Sequence, residues 1–146
     1  VYASAVSVAG ARKLSAKVHM DLAIVDKRRQ KANFCEVMNV IGDVKGKTCI
    51  LFDDLVDTAG SLCNAAAALV EVGGAEKVYA CASHGVLSGP ALERVENSYI
   101  EELMVLNTIP MPAGYTGGKI KQLDVAPLFA KAINRVYTET SISSLF

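Results

Sequence analysis

Residues 53–61 read Asp-Asp-Leu-Val-Asp-Thr-Ala-Gly-Ser, which places three carboxylates and two hydroxyls within nine positions. They follow the short apolar run Thr-Cys-Ile-Leu-Phe at 48–52. Two kinds of chemistry fit such a stretch. Thr58 and Ser61 carry hydroxyl donors, and the small residues Ala59 and Gly60 let backbone N–H groups approach a ligand. Where such a turn opens a helix, it attracts an anion, phosphate most of all. The acids need a different reason, because a carboxylate beside a phosphate is repulsive unless it faces hydroxyl groups or a cation. Asp53 and Asp54 can accept hydrogen bonds from a vicinal diol such as the 2′- and 3′-hydroxyls of a ribose. They can also share Mg²⁺ through water. Read this way, the stretch is a sugar-phosphate cradle, with hydroxyl acceptors first and phosphate donors second. The plainer alternative is a helix cap, in which Asp57 or Thr58 caps the next helix and Asp53 and Asp54 are solvated at a strand end.

The elements around this stretch are legible from apolar patterning. Short runs rich in β-branched and apolar residues at 22–26, 37–42, 48–54, 77–84 and 103–108 predict strands, and 119–125 is a weaker, more alternating candidate. The stretch 61–72 predicts a helix closed by Gly73-Gly74. A second helix is expected over 89–98, with Pro90 in its first turn, and others over 126–137 and 11–18. Strand–helix alternation requires crossover connections, so the expected fold is α/β, a central mostly parallel sheet with helices on both faces. Ligands of such sheets bind beyond the carboxyl ends of the strands. That places Asp53 and Asp54 at a strand end and Ser61 at a helix start. The polar, basic segment 26–33 is expected to be a loop or lid, and 109–118 is a Pro/Gly-rich loop.

The 146 residues suit one domain, spanning 1–146, and 51% hydrophobic with 21% charged residues is a globular composition. Fifteen basic against fifteen acidic residues give zero net charge, which points to neither nucleic acid nor membrane as partner and makes self-association plausible. No uncharged stretch is long enough to span a bilayer, and no signal peptide is expected. Cys35, Cys49, Cys63 and Cys81 form no Cys-x-x-Cys pair and read as reduced thiols of a cytoplasmic protein. His84, at a strand end, reads as a hydrogen-bonded structural histidine, and His19 has no evident partner. The chain opens on Val1, which suggests a fragment or processed product.

The run Ile-Leu-Phe-Asp-Asp-Leu-Val-Asp-Thr-Ala-Gly-Ser-Leu-Cys-Asn-Ala-Ala at 50–66 resembles the phosphoribosyl-pyrophosphate signature shared by type I phosphoribosyltransferases and ribose-phosphate pyrophosphokinases. Its surroundings narrow the choice. The segment 21–66, the stretch Val-Tyr-Ala-Cys-Ala-Ser-His-Gly-Val-Leu-Ser-Gly-Pro-Ala from Val78, Asn-Thr-Ile-Pro at 107–110 and the tail Ser-Ile-Ser-Ser-Leu-Phe at 141–146 resemble the C-terminal half of ribose-phosphate pyrophosphokinases. The resemblance implies a phosphoribosyltransferase-like fold and transfer of diphosphate from ATP to ribose 5-phosphate, giving phosphoribosyl pyrophosphate and AMP with Mg²⁺. It implies that Asp53 and Asp54 hold the ribose, that Asp57, Thr58, Ala59, Gly60 and Ser61 hold the 5-phosphate, and that Lys27 and Arg29 act in catalysis. Cationic groups suit phosphoryl transfer, although by residue type alone the run 26–31 reads as a solvated basic loop. By the same resemblance, Ser141, Ser143 and Phe146 belong to a regulatory site at a subunit interface, and the chain forms a homo-oligomer.

Two departures stand out. The family's Pro-Asp-x-Gly-Gly turn falls on Ala3, Ser4, Ala5, Val6 and Ser7, so Ser4 stands at the position of a charged Asp and no metal ligand is assigned there. The family's N-terminal half, which supplies most of the ATP site, has no counterpart in these 146 residues. Competing readings are a non-catalytic regulatory subunit of the same enzyme and a type I phosphoribosyltransferase, although no segment resembles a nucleobase-recognising hood.

Overall fold

A computed structural model describes residues 2–4, 16–17, 19–28 and 37–145. Among the described residues, seven strands form one sheet: β1 (Tyr2–Ser4), β2 (Leu22–Arg28), β3 (Val37–Ile41), β4 (Thr48–Val56), β5 (Lys77–Gly85), β6 (Ile100–Leu106) and β7 (Ile120–Leu123), in the order β3-β2-β1-β4-β5-β6-β7. All neighbours pair in parallel except β2 with β3. Three helices follow the later strands: α1 (Gly60–Glu71), α2 (Ala91–Glu96) and α3 (Ala126–Tyr137). The mostly parallel α/β architecture read from the sequence is therefore the one formed.

Period-two alternation decides the core face. Cys49 and Leu51 on β4, Val78, Ala80 and Ala82 on β5, and Leu103 and Val105 on β6 are buried. Leu62, Ala65, Ala66 and Leu69 of α1, and Ala91 and Val95 of α2, are buried in the same core. The alanines let α1 lie close to the sheet. Leu51, Leu69, Ile100 and Leu103 are among the largest fully buried side chains, and each contributes roughly 1.5–3 kcal/mol of transfer free energy. The intervening residues Ile50, Phe52, Tyr79, Cys81, Met104 and Leu106 face the other way and are half-buried.

The end of α1 is set by glycine, as the sequence suggests. Gly74 takes φ 70°, and the N–H groups of Gly73 and Gly74 return to the carbonyls of Ala68 and Val70. A Cβ on Gly73 would lie 2.5 Å from Val44 Cγ2 and 2.7 Å from the Leu69 carbonyl oxygen, so only glycine lets the turn pack this tightly. At the start of α3, Asp124 Oδ1 accepts from Ala126 N at 3.0 Å and from Asn107 Nδ2 at 2.8 Å. These bonds hold the Asp124 carboxyl below the usual range, the Ala126 N–H being the larger cause. None of the residues of α3 is buried, and Phe129, Ile133 and Val136 are exposed at helical spacing. Among the described residues, no helix is long and apolar enough to cross a membrane.

The basic segment expected as a loop from residue 26 begins instead inside β2. Lys27 pairs with Met38 and Arg28 with Val37 in the antiparallel ladder with β3, so the ladder extends the strand past the apolar run. Arg29, Cys35 and Phe146 lie outside the described residues, as does most of the helix expected over 11–18, of which residues 16–17 are described and helical.

The topology fixes where a ligand can sit. From the interior strand β1 the chain moves to one side, to β2 and β3, and from β4 it moves to the other, through β5 and β6 to β7. The order therefore reverses between β1 and β4, and the crevice of such a sheet lies at the carboxyl ends of the strands flanking that reversal.

Candidate functional site

Asp53 through Leu62 line one cavity of about 320 Å³ at the carboxyl end of β4. All seven residues of the expected cradle are in that wall. Ser4, the last residue of β1, pairs with Phe52, so Asp53 and Asp54 come just beyond the level at which β1 ends. Beyond Ser4 both flanking strands run on, β4 to Val56 and β2 to Arg28. Two strands separated by one neighbour are about 10 Å apart. Lys27 is thus carried by the strand that faces Asp53 and Asp54 across the switch point. Ser141 and Ser143 are not among the cavity's lining residues; they follow α3, where Arg135 Nη1 donates to the Ser141 carbonyl at 2.7 Å and Ser143 N donates to Ser141 Oγ at 3.2 Å.

The two adjacent acids differ in environment. Asp53 is half-buried and Asp54 exposed. Burial pushes the Asp53 carboxyl above the usual aspartate range, and the neighbouring Asp54 carboxyl pushes in the same direction. The Asp54 N–H, donated to Asp53 Oδ1 at 2.9 Å, opposes this without reversing it. A desolvated carboxylate beside another carboxylate is a strong acceptor short of donors, the condition in which sugar hydroxyls or a divalent cation are favourable. No group of three or more His, Cys, Asp or Glu residues able to hold a metal occurs among the described residues. Two carboxylates with the remaining shell supplied by water and ligand oxygens is the mode of binding that Mg²⁺ commonly adopts, so the donor set fits that ion.

Between β4 and α1 the chain turns through Asp57, Thr58 and Ala59. Ala59 precedes the helix in the left-handed region, at φ 59° and ψ 4°, and is 5% exposed. A non-glycine residue there costs roughly 1–2 kcal/mol, so the surrounding contacts must impose it. They are supplied by the segment after β5. The Val56 carbonyl accepts from Val86 N at 2.9 Å and Leu87 N at 3.2 Å, and the Asp57 carbonyl accepts from Ser88 N at 3.1 Å. The Asp57 carboxylate accepts from the Ser88 hydroxyl. The Thr58 carbonyl accepts from Arg94 Nη1 at 3.0 Å. The Ala59 carbonyl is taken by Cys63 N inside the helix, also at 3.0 Å. By contrast, no acceptor among the described residues takes the N–H groups of Thr58, Ala59 or Gly60. The turn therefore presents donors and hides acceptors, as an anion site requires. The capping alternative is not what forms: no side chain caps the amino end of α1.

The other sequence candidates fall where their chemistry suggests. His84 Nδ1 lies 2.8 Å from Thr108 Oγ1, and the Thr108 hydroxyl donates to the Ser83 carbonyl at 3.1 Å. With that proton committed, Thr108 accepts from His84 Nδ1–H, which makes His84 a hydrogen-bonded bracket between the ends of β5 and β6. Cys49, Cys63 and Cys81 are free, and burial pushes each thiol up, away from reactivity. Ser88 and Arg94 escaped the sequence reading. Each lies more than thirty positions from its partner, and the only local signal was the Ser-Gly-Pro turn ahead of α2.

The comparisons with known proteins agree with this geometry. The chain is 58% identical over 140 residues to a ribose-phosphate pyrophosphokinase of Clostridium perfringens, covering 96% of this chain and 44% of that protein. It is 53% identical over 139 residues to the enzyme of the same name from Bacillus cereus, covering 95% of this chain and 44% of that protein. The chain thus spans less than half the length of these curated relatives. Among solved structures, a phosphoribosylpyrophosphate synthetase from Mycobacterium smegmatis superposes with a TM-score of 0.82 at 36% identity, covering 94% of this chain and 45% of that one. An adenine phosphoribosyltransferase from Leishmania donovani, at a TM-score of 0.55 and 17% identity over 89% of this chain and 68% of that one, shares the fold. A family profile described as phosphoribosyl synthetase-associated domain matches residues 7–146, and the chain belongs to that family.

Proposed function

We propose that this chain is the ribose 5-phosphate-binding part of a ribose-phosphate pyrophosphokinase. The observation that carries the proposal is one cavity in which an acid pair with a desolvated member and a turn with free N–H donors occur side by side. Asp53 and Asp54 accept from the ribose hydroxyls. The turn of Asp57, Thr58, Ala59, Gly60 and Ser61 holds the 5-phosphate, through its N–H groups and the hydroxyls of Thr58 and Ser61. Orientation of the bound sugar presents its 1-hydroxyl. In the reaction, that oxygen forms a bond to the β-phosphorus of ATP and gives up its proton, the bond from the β-phosphorus to the α-phosphate oxygen breaks, and AMP leaves. Lys27 and Arg29 act as the cations over the transferring diphosphate and its leaving oxygen, Lys as a point charge and Arg as a fork. Mg²⁺, held by Asp53 and Asp54, would supply charge neutralisation to the phosphates.

A homo-oligomer, a regulatory role for Ser141, Ser143 and Phe146, and a cytoplasmic location belong to the same reading. One observation favours a second reading, a non-catalytic subunit that keeps the cradle: Ser4, with no charge, stands at the carboxyl end of β1 beside the acid pair. An assay of ATP conversion to AMP separates the two. The chain is assayed with the amino-terminal part of a relative such as the Clostridium perfringens enzyme. Ribose 5-phosphate-dependent AMP formation, lost on Lys27→Ala, is expected; ribose 5-phosphate binding without AMP formation would establish the non-catalytic subunit.

A further inference from the structure

The carbonyls of Val56, Asp57 and Thr58 are three consecutive acceptors beside the phosphate turn, and a carboxylate adds a fourth at Asp57. Left free, each would face the incoming phosphate with negative charge. All four are occupied by donors from one neighbouring segment, Val86 to Arg94. Backbone N–H groups of Val86, Leu87 and Ser88 take the first two carbonyls. The Ser88 hydroxyl takes the Asp57 carboxylate, and the Arg94 guanidinium takes the Thr58 carbonyl. Arg94 is packed against the turn: a methyl on Gly60 would lie 3.4 Å from its Nη1.

We infer that Ser88 and Arg94 are positioning residues for the phosphate turn, and that the Asp57 side chain shapes the turn without contacting the phosphate. The inference rests on the proposed cradle and refines it. Because each carbonyl opposes the N–H of the next residue, holding the Asp57 and Thr58 carbonyls against the 86–94 segment turns the N–H groups of Thr58 and Ala59 away from it, while the Gly60 N–H is directed by the Ala59 carbonyl, which Cys63 takes inside the helix. It also accounts for Ala59, whose left-handed backbone is the geometric consequence of anchoring the carbonyls before it on one side and starting a helix after it. The third acid of the stretch is engaged through one carboxylate oxygen by the hydroxyl of Ser88, which is not among the residues lining the cavity.

Calorimetric titration of ribose 5-phosphate into the chain and five variants tests this, with thermal melting alongside. Ser88→Ala is expected to weaken binding about tenfold, the scale of a hydrogen bond to a charged group. Ser88→Thr, which keeps the hydroxyl, restores affinity. Asp57→Ala combined with Ser88→Ala binds no more weakly than Asp57→Ala alone, since the two groups act through one bond. Arg94→Met, at an exposed position, also weakens binding, and its melting curve separates that loss from a loss of stability. Unchanged affinity in Ser88→Ala and Arg94→Met, or additive losses in the double variant, overturns the positioning role while leaving the cradle in place. Absence of ribose 5-phosphate binding by the unaltered chain overturns the cradle and this inference together.

Discussion

Asp53 shows how a residue proposed to bind a ligand can oppose the fold that carries it. Its carboxyl is raised by burial and by Asp54, so the folded chain binds this proton more readily than the unfolded chain does. The stability linked to it is fully present below the unfolded pKa and is lost as pH rises through the raised folded value. At neutral pH, above the unfolded value, Asp53 is therefore a cost to the ligand-free fold. Asp53→Asn is expected to raise the melting temperature at pH 7, with the gain vanishing near about pH 3, where both states are protonated. Ribose 5-phosphate affinity falls in the same variant. Melting curves across that range check the sign, and a destabilised Asp53→Asn at pH 7 would contradict it. Ala59 stores a different strain. Ala59→Gly relieves the left-handed penalty, and chemical denaturation should show stability kept or raised by up to about 1 kcal/mol. Ala59→Val puts a β-branched residue at φ 59° in a buried place and is expected to cost about 2 kcal/mol or more.

Elements were the most legible level. The strands at 48, 77 and 120 and the helices at 60 and 126 begin within about one residue of where apolar periodicity puts them, because their side-chain pattern and their burial coincide. Three features were not legible, each for a non-local reason. Tyr2–Ser4 is too short to carry a period, yet it is an interior strand of the sheet because β2 and β4 close on it from both sides. The extension of β2 through Lys27 and Arg28 is imposed by pairing with β3. The contacts of Ser88 and Arg94 exist only because the parallel β4–β5 pairing sets the 86–94 segment beside the turn. The acids and hydroxyls that line the cavity were readable by type, but the burial that distinguishes Asp53 from Asp54 was not. At this scale Gly73 gives a clean test. Gly73→Ala drives a methyl into Val44 and the Leu69 carbonyl, and equilibrium denaturation should show a loss of about 1–3 kcal/mol. An unchanged stability would mean that α1 does not pack on Val44 as closely as described.

At the scale of the whole molecule, the sheet order matters more than any single contact. Reversal between β1 and β4 opens the crevice, β4 carries the acids and the turn into it, and β2 carries Lys27 to its other side. Curated relatives are more than twice as long as the matched region, and the proposal assigns this chain the sugar phosphate and leaves most of the ATP site to the remainder. The claim at the centre is that the cavity at the end of β4 holds ribose 5-phosphate by both of its chemical ends. Isothermal titration of the chain with ribose 5-phosphate, ribose and inorganic phosphate in parallel tests it most directly. Ribose 5-phosphate should bind more tightly than either half, and Asp54→Asn and Ser61→Ala should each weaken it about fivefold to tenfold. No heat with ribose 5-phosphate, or binding that neither substitution alters, would contradict the account.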